Sequence, residues 1–482
     1  QFTDSTALSG HDLGTYPDFP AEIRAPAGTV AGVSGFQINF GSNAIYTPGD
    51  NCDVLVVMNA AALKSNLKYL KQDGIIIANE DGFDNKNLQL AGYEKDSSPL
   101  AEAGETYRLH QVPITKLTRE ALKETELKTK ERDRSKNMFV LGLIYWLFDR
   151  DLQPTIDFLE NKFAKKPELK EANLAALKAG YNYGDTAEIF RTRYQVRPAN
   201  LPPGTYRSVT GNLATSLGLI SAAKKAGLTL FYGSYPITPA SDILHELSKH
   251  RNHHVQTFQA EDEIGAASSV VGAAYSGSLA VTGTSGPGFS LKGEIIGLAV
   301  TLEVPMVVCN VQRAGPATGM PTKTEQADLM QALYGRHGEA PLPVVAPTQP
   351  SDCFDMAFEA CRIAIEYMTP VIFLSDGYLA NGSEPWRFPG KEDLPVIQKP
   401  MATEADKKEE KFEPYTRDES LVRRWALPGQ EGFQNRIGGL EKAEVTGNVS
   451  YDPENHQQMV ETREQKVQNV ANSIPPQDVD NG

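Results

Sequence analysis

A repeated alternation of apolar, strand-like runs with helical segments is the feature that most limits what this chain can fold into. The runs are short and largely apolar, and they lie at residues 228–234, 255–260, 278–284, 305–313, 343–347 and 370–376. Runs that are apolar on both faces and alternate with helices are typical of a mostly parallel sheet covered by helices on both sides. The sequence therefore predicts a doubly wound α/β domain over residues 207–390.

A second α/β segment precedes this domain. Residues 52–59 and 74–80 are strand-like, and residues 61–72 between them carry leucines at helical spacing. This order predicts a βαβ unit. The apolar stretch 138–148 follows a charged helical segment and is predicted as a buried helix. We therefore assign residues 1–182 to a first α/β domain with a helical extension.

The remaining segments are polar. Residues 183–206 contain RPANLPPGTYR and are predicted as a linker, because proline and glycine interrupt regular structure. Residues 391–482 are rich in charge, with KKEEKFEP and a helical stretch, HQQMVETREQKVQNV. The composition predicts an extended, solvated arm that contacts a partner rather than a core.

Charge and cysteine content exclude several classes of function. The formal net charge of −14 and the isoelectric point near 5.2 argue against nucleic acid and anionic membranes as partners. Four cysteines stand far apart with no C-x-x-C, so we expect a reduced, cytoplasmic protein without metal ligands or a cluster site of its own. The apolar run at 138–148 is too short for a membrane span, which needs about 20 residues.

Three motifs stand where a strand-like run gives way to a loop or a helix start: YGSYPITPAS at 232–241, QAEDEIGAA at 259–267 and QRAGPATGMPT at 312–322. Open α/β sheets bind ligands at the carboxyl ends of their strands. Together the motifs resemble the α-subunit signature of the 2-oxoacid:ferredoxin oxidoreductases, which are thiamine-diphosphate enzymes, and most of all their 2-oxoglutarate branch. By this resemblance residues 207–390 are a pyrimidine-binding domain, and residues 1–182 are a γ-type domain fused ahead of it.

The resemblance implies a reaction. Members of the 2-oxoglutarate branch decarboxylate 2-oxoglutarate oxidatively with coenzyme A to succinyl-CoA and CO2, and pass electrons through an iron–sulfur cluster to ferredoxin. The reverse reaction fixes CO2 in a reductive tricarboxylic acid cycle. Pyruvate and branched-chain or aryl 2-oxoacids are alternative substrates of the same reaction class. A non-catalytic scaffold is an alternative of another class, and the intact motifs argue against it.

The YPITP loop is predicted to hold the substrate. Thr238 followed by Pro239 has the composition of a helix start, with a hydroxyl at the N-cap and proline at the first helical position. Free amides at a helix start attract a carboxylate. The resemblance places Thr238 near the carboxylate or keto group of the 2-oxoacid. It also implies that Tyr235, Pro236, Ile237 and Thr238 line the cofactor pocket.

Glu263 is the predicted partner of the thiamine pyrimidine ring. A carboxylate bonded to ring N1′ favours the tautomer whose exocyclic nitrogen removes the C2 proton. Glu261 and Asp262 compete for this role, because acidic residues are common in any first helical turn. The family pattern, glutamate followed by small residues, places the role on Glu263. In the turn TSGPG, we expect Ser285 and Gly286 near the thiamine ring.

Arg313 ends an apolar strand and enters a glycine- and proline-rich loop. An arginine in this position can hold a carboxylate through two parallel hydrogen bonds. The family places its substrate-carboxylate arginine and threonine in this loop, so we assign Arg313 to the C1 carboxylate and Thr318 to its support. Lys323, Arg336 and His337 are open candidates for a distal carboxylate.

A partner subunit is expected to complete the active site. Thiamine enzymes bind Mg²⁺ and the diphosphate through Gly-Asp-Gly followed by an asparagine, and SDGYLAN at 375–381 does not fit that pattern. The resemblance assigns Mg²⁺, the diphosphate site and a [4Fe-4S] cluster to a β subunit, in an (αβ)2 heterotetramer with thiamine diphosphate between the two chains.

Two further expectations concern the ends of the chain. The first domain is expected to face coenzyme A, with Arg24 as its candidate contact. Relatives carry a glycine-rich strand–loop–helix before the point that corresponds to Gln1 and a further α/β domain after the point that corresponds to Gly482. We therefore expect the chain to be a truncated form of such a subunit.

Overall fold

The computed structural model describes residues 1–20, 25–187, 190, 193–409, 411–476 and 479. The chain divides into two compact units. The first unit comprises Gln1–Ser208 and Ser383–Arg387, and the second comprises Val209–Gly382 and Phe388–Gly482.

The first unit contains an antiparallel strand pair and a three-stranded parallel sheet. Its strands are β1 (Asp12–Asp18), β2 (Gly35–Gly41), β3 (Cys52–Val57), β4 (Leu70–Asn79) and β5 (Arg108–Val112). β1 pairs with β2, and the parallel sheet has the order β3-β4-β5. The helices are α1 (Phe2–Leu8), α2 (Ala60–Asn66), α3 (Asn85–Leu90), α4 (Pro99–Thr106), α5 (Ile114–Ala121), α6 (Thr129–Arg134), α7 (Lys136–Leu147), α8 (Gln153–Lys162) and α9 (Pro167–Thr186).

The predicted βαβ unit is confirmed as β3-α2-β4, but its helix is shorter than the sequence indicates. α2 begins after Asn59, whose side chain accepts a hydrogen bond from the Ala62 amide at 2.9 Å and caps the helix. It ends at Asn66, because Leu70 already belongs to β4 and is buried against Val57 and Ile76. Leucine spacing alone does not distinguish a last helical turn from the first residues of a buried strand.

The predicted buried helix at 138–148 is confirmed as α7, which packs against α9. The two helices approach closely at Gly142 and Gly180: a side chain at either position would collide with the main chain of the other helix. α9 continues to Thr186, so the predicted linker starts inside a helix. Residues 193–205 have no helix or strand.

The second unit is built on one parallel sheet, which confirms the predicted doubly wound α/β fold. Strand β6 (Tyr206–Thr210) begins in the first unit. The strands of the second unit's sheet are β7 (Leu230–Ser234), β8 (Val255–Gln259), β9 (Leu279–Thr284), β10 (Met306–Gln312), β11 (Val344–Val345) and β12 (Pro370–Asp376). The helices are α10 (Gly211–Ala226), α11 (Ser241–Leu247), α12 (Glu263–Tyr275), α13 (Gly286–Leu291), α14 (Gly293–Leu302), α15 (Leu329–Tyr334), α16 (Asp352–Tyr367) and α17 (Gly377–Asn381). β13 (Ser383–Arg387) belongs to the first unit, and the remaining elements of the second are β14 (Lys407–Lys408), β15 (Lys411–Phe412) and α18 (Pro453–Asn469).

The sheet order places a crevice beside β7. The six strands run β11-β12-β10-β9-β7-β8, and β6 pairs separately with β13. The chain passes from β7 to β8 on one side and returns to β9 on the other, so the strand order reverses at β7. In open α/β sheets such a reversal opens a ligand crevice at the carboxyl ends of the strands. Those ends are Ser234 on β7 and Thr284 on β9.

Residues 401–476 differ from the solvated arm that their composition predicts. Phe412 and Phe433 pack with two alanines in a small buried cluster, and Tyr415, Trp425 and Met459 are also buried. The apolar residues are too widely spaced along the chain to form a periodic pattern, so the sequence conceals this packing. Among the described residues, no helix is long and apolar enough to cross a membrane.

Candidate active site at the carboxyl end of the sheet

The loop after β7 does not start a helix at Thr238. The Thr238–Pro239 peptide bond is cis, and α11 begins only at Ser241, with Ala240 at its N-cap. The prediction of Thr238 as an N-cap and Pro239 as the first helical residue is therefore wrong. The loop is instead closed by Ser241, whose hydroxyl accepts from the Ile237 amide at 2.8 Å and donates to the Ile237 oxygen at 3.0 Å.

Glu263 is distinguished from its two acidic neighbours by its position. Asp262 caps α12, because its side chain accepts from the Gly265 amide at 2.7 Å. Asp262 and Glu261 are both exposed, whereas Glu263 is half-buried in the first turn of the helix. Burial raises the pKa of Tyr235 well above its ordinary value, and the charge and hydrogen bonding of Glu263 raise it further. Of the three acidic residues, Glu263 is therefore the one that interacts with Tyr235 in the YPITP loop.

Tyr235 and Thr284 bridge the crevice between β7 and β9. Their hydroxyl oxygens are 2.9 Å apart, and both residues are buried. Gly288 lies against this pair: a methyl group there would collide with Tyr235 Oη and Thr284 Oγ1 and would approach Glu263 Cγ to 2.8 Å. The glycine in the predicted SGPG turn therefore keeps open a small cradle beside the Glu263 side chain.

The rest of that turn is buried. Ser285 stands at the N-cap of α13 with no exposed surface, and its hydroxyl has no hydrogen-bond partner within the described residues. Gly286 follows it, and a side chain there would contact the Asp328 carboxylate at 3.3 Å. Asn310 Nδ2 donates to the same carboxylate at 2.9 Å. The turn is thereby packed against the end of β10.

Arg313 joins the third motif to the first. It follows β10, is 6% exposed, and its Nη1 donates to the Thr238 main-chain oxygen at 2.8 Å. Burial lowers the pKa of Arg313, while the neighbouring Tyr235 and Glu263 oppose this effect. Its Nε is buried without a partner in the described part of the chain. Thr318 lies exposed in the loop that the Ala314–Met320 bridge closes.

The three candidates for a distal carboxylate differ in their surroundings. Arg336 donates to the main-chain oxygens of Ala332, Leu333 and Ala340 at 2.9–3.1 Å, so its guanidinium is engaged in ending α15. His337 is 83% exposed and lies 3.5 Å from a carboxylate oxygen of Glu294. Lys323 is half-buried, and its main-chain oxygen accepts from the Ala314 amide at 2.9 Å. The loop therefore brings Lys323 beside Arg313.

Comparisons with known proteins agree with this geometry. A family model described as pyruvate flavodoxin/ferredoxin oxidoreductase, thiamine diphosphate-binding, matches residues 221–452, and one described as pyruvate ferredoxin/flavodoxin oxidoreductase matches residues 1–183. The 2-oxoglutarate oxidoreductase subunit KorA of Mycobacterium tuberculosis is 54% identical over 483 residues, which cover 100% of this chain and 73% of the relative. The chain belongs to the 2-oxoacid:ferredoxin oxidoreductase family.

Other members of the family extend the comparison. The 2-oxoglutarate synthase subunit KorA of Archaeoglobus fulgidus is 42% identical over 192 residues, which are 40% of this chain and 54% of that relative. A solved 2-oxoglutarate:ferredoxin oxidoreductase from Magnetococcus marinus, with 2-oxoglutarate, coenzyme A and succinyl-CoA bound, has a TM-score of 0.82 and 30% identity. That match covers 99% of this chain and 77% of the other. The predicted family membership is confirmed, and the chain is a subunit of an oxidoreductase.

Lys292 is a site residue that sequence reasoning missed. It is fully buried, and its Nζ donates to the Glu263 main-chain oxygen at 3.0 Å. Burial lowers the pKa of Lys292 to about 8. The signal available in the sequence was a lysine within the largely apolar stretch 286–302, and a buried lysine is unusual. Thr284, which contacts Tyr235, belongs to the TSGPG turn, but the sequence did not single it out because a threonine at a strand end is common.

The residues present fit the pyrimidine half of thiamine diphosphate. The cradle beside Gly288 adjoins a half-buried carboxylate, Glu263, and two hydroxyls, Tyr235 and Thr284. These are the hydrogen-bonding groups that an aminopyrimidine ring requires. Within the described residues, no group of three or more histidine, cysteine, aspartate or glutamate side chains could hold a metal ion. Arg24 lies outside the described residues.

Proposed function

We propose that this chain is the α-type subunit of an enzyme that converts 2-oxoglutarate and coenzyme A to succinyl-CoA and CO2, with electrons passing to ferredoxin. The observation that carries the proposal is the convergence of Glu263, Tyr235 and Arg313 at the strand reversal beside β7. The choice of 2-oxoglutarate is supported by the two KorA relatives, of which the chain spans 73% and 54%.

Each residue has a role that follows from its surroundings. Thiamine diphosphate, when bound, supplies a C2 carbon that adds to the 2-oxo group and accepts the electron pair left by CO2. Glu263 holds a proton shared with pyrimidine N1′, at the position where Tyr235 and Thr284 exclude water. Arg313 fixes the Thr238 loop through one nitrogen, and its remaining N–H groups bind the C1 carboxylate. Thr318 supports that carboxylate from the adjacent loop, and Lys323 is the candidate for the distal one.

A second subunit supplies the rest of the active site in this proposal. We assign Mg²⁺, the diphosphate ligands and a [4Fe-4S] cluster to a β subunit, in an (αβ)2 assembly that reduces ferredoxin. Support comes from the sequence, in which SDGYLAN does not match the Gly-Asp-Gly pattern. A cytoplasmic location is part of the same proposal, since all four cysteines are free thiols.

The first unit contains a cleft that suits the phosphate groups of coenzyme A. The cleft has a volume of about 790 Å³ and lies at the carboxyl ends of β3, β4 and β5, beside Asn59, Asn79 and Thr115. Its basic side chains are Lys116, Arg119, Lys123, Arg132 and Lys136. Arg119 is engaged by Asp133 through two hydrogen bonds, at 2.6 and 2.8 Å. Lys123 is likewise paired with Glu120 at 2.9 Å. We therefore propose that Lys116 and Lys136, rather than Arg119 or Lys123, provide charge to the coenzyme A phosphates.

Initial rates of the assembled complex test the substrate. With coenzyme A and a viologen as electron acceptor, we expect 2-oxoglutarate to give the highest kcat/KM in a panel that includes pyruvate and branched-chain and aryl 2-oxoacids. A preference for pyruvate would retain the reaction class and change the substrate. No turnover with any 2-oxoacid would favour a scaffold.

Arg313→Lys is expected to lower kcat/KM by about 10²-fold, because misplacing a reacting group by about 1 Å has an effect of that order. Lysine keeps the charge but cannot hold the Thr238 oxygen and a carboxylate with a planar fork. The decrease should occur with every 2-oxoacid of the panel, since all share the C1 carboxylate. Arg336→Lys, at the end of α15, is the control. A decrease confined to dicarboxylic substrates would transfer the C1 role to the Thr238 loop.

A further inference from the structure

Lys292 is a buried cation that joins two segments of the site. Its Nζ donates a hydrogen bond to the Glu263 main-chain oxygen at 3.0 Å and lies 4.6 Å from the centre of the Tyr235 ring. The second distance is within the range of cation–π attraction. One side chain at the junction of α13 and α14 therefore contacts both the first residue of α12 and the loop after β7.

The positive charge of Lys292 is not neutralised by a directly paired carboxylate within the described residues. Glu263 and Asp262 act on it from the start of α12, but within the described residues no carboxylate is in salt-bridge contact with its Nζ. Arg313, at the end of β10, interacts with Tyr235 and Glu263 from another side. Glu294, in the first turn of α14, faces His337 instead.

An ammonium buried without a paired carboxylate is disfavoured by desolvation. A methionine would fill the same space without that cost, so the charge at position 292 calls for a role outside packing. Charged groups kept in such surroundings are concentrated at functional sites.

We propose that Lys292 is a positioning residue of the thiamine site, which fixes the Glu263 main chain and the Tyr235 ring so that the Glu263 carboxylate stays in place to bond the pyrimidine ring. The inference rests on the proposed function. Lys292 acts through these two residues and does not itself touch the reacting atoms.

The protonation state of Lys292 controls the strength of its contacts with the Glu263 main-chain oxygen and the Tyr235 ring. The neutral amine is a weaker donor to a carbonyl oxygen than the ammonium, and it has no cation–π attraction to the tyrosine ring. Because burial lowers the pKa of Lys292 to about 8, the charge is present at neutral pH and is lost as the pH rises through that value. The hold on Glu263 should weaken over the same interval.

Lys292→Met removes the charge and keeps most of the length of the side chain, and Lys442→Met is a matched control. Lys442 is 2% exposed, and its Nζ donates to the main-chain oxygens of Gly438 and Leu440 at 2.8 and 3.0 Å. It also lies 5.7 Å from the centre of a tyrosine ring, and burial lowers the pKa of Lys442 to about 8. That ring belongs to Tyr415, away from the candidate site.

The measurement is hydrogen–deuterium exchange at C2 of bound thiamine diphosphate, followed by NMR in the assembled complex without a 2-oxoacid. Thermal unfolding of the cofactor-free complex reports the structural effect of each variant. We expect Lys292→Met to slow exchange by about tenfold to 10²-fold at neutral pH, as for a displacement of about 1 Å. Wild type and Lys442→Met should share a faster exchange that declines as the pH rises through about 8, and Lys292→Met should lack the decline.

Exchange in Lys292→Met at the wild-type rate, or equal slowing in both variants, would overturn the inference. If Lys292→Met does not assemble with its partner, the pH dependence of C2 exchange in the wild type tests the inference. A wild-type exchange rate that does not decline above a pH of about 8 would overturn the role of the charge. Failure of the proposed function would give a different result. In that case Glu263→Gln, and not only Lys292→Met, would leave the C2 exchange rate unchanged.

Discussion

Replacing Glu263 with glutamine is expected to slow deprotonation at C2 of bound thiamine diphosphate by about 10²–10⁴-fold, the usual contribution of a positioned acid–base group. Glutamine has the same size but cannot carry the negative charge that favours the required pyrimidine tautomer. The fold should not change, because Asp262 caps α12 and the main-chain oxygen of residue 263 remains available to Lys292.

Glu261→Gln is the matched control for this experiment. Glu261 is two positions away and exposed. Because surface substitutions have small effects, Glu261→Gln should leave the C2 exchange rate within about twofold of the wild-type rate. Unfolding and partner assembly of both variants should match the wild type. If Glu263→Gln exchanged at the wild-type rate and Glu261→Gln did not, the pyrimidine partner would be Glu261.

Glu303→Gln is expected to lower the free energy of unfolding by about 3–5 kcal/mol, the range observed when one partner of a buried ion pair is removed. Glu303 follows α14 and is 1% exposed. Its oxygens accept from Arg417 at 2.5 and 2.7 Å and from Lys466 at 2.5 Å. Glutamine would leave these two buried cations without a counter-charge.

The same cluster makes stability depend on pH. Burial alone would raise the pKa of Glu303, but the charges of Lys466 and Arg417 outweigh burial and hold that pKa far below its ordinary value. A carboxyl whose pKa is lower in the folded state stabilises the fold above its unfolded pKa, about 4.3, and this contribution is lost as the pH falls below that value. The variant should therefore lose less stability than the wild type on acidification.

Denaturant unfolding of both proteins at neutral and acidic pH measures this effect. The control is Glu404→Gln, since Glu404 pairs with Lys407 at 2.9 Å but is 79% exposed. An exposed pair contributes about 0–1 kcal/mol, so the control should unfold close to the wild type. A Glu303→Gln protein as stable as the control would show that the polar segment 401–476 is held by its apolar contacts instead.

The sheet of the second unit could be predicted because most of its strands are largely apolar runs, and β9, β10 and β12 are buried along their whole length. Helix α10 could not. It is buried on most of its faces, so it lacks the polar and apolar stripes that identify a surface helix. The local chemistry of Thr238-Pro239 was misleading, since a hydroxyl before a proline fits a turn as well as a helix start.

The candidate site could be predicted in part. The ends of the apolar runs predicted where the site lies, and the three motifs predicted Glu263, Tyr235 and Arg313 as its residues. The contact of Lys292 with Glu263 joins residues 29 positions apart, and it depends on how α13 and α14 pack. The hydrogen bond between Arg313 and Thr238 spans 75 positions and depends on the sheet order. Such contacts have no local signal in a single sequence.

Calorimetric titration with thiamine diphosphate and Mg²⁺ tests most directly whether this chain contributes one half of a shared site. The chain alone should bind the cofactor poorly, because it provides the pyrimidine side through Glu263 and lacks the Gly-Asp-Gly pattern for the diphosphate and metal. The complex with its β subunit should bind it tightly, and Glu263→Gln should weaken that binding. Micromolar binding to the chain alone would contradict the account, since the cofactor would then need no second subunit.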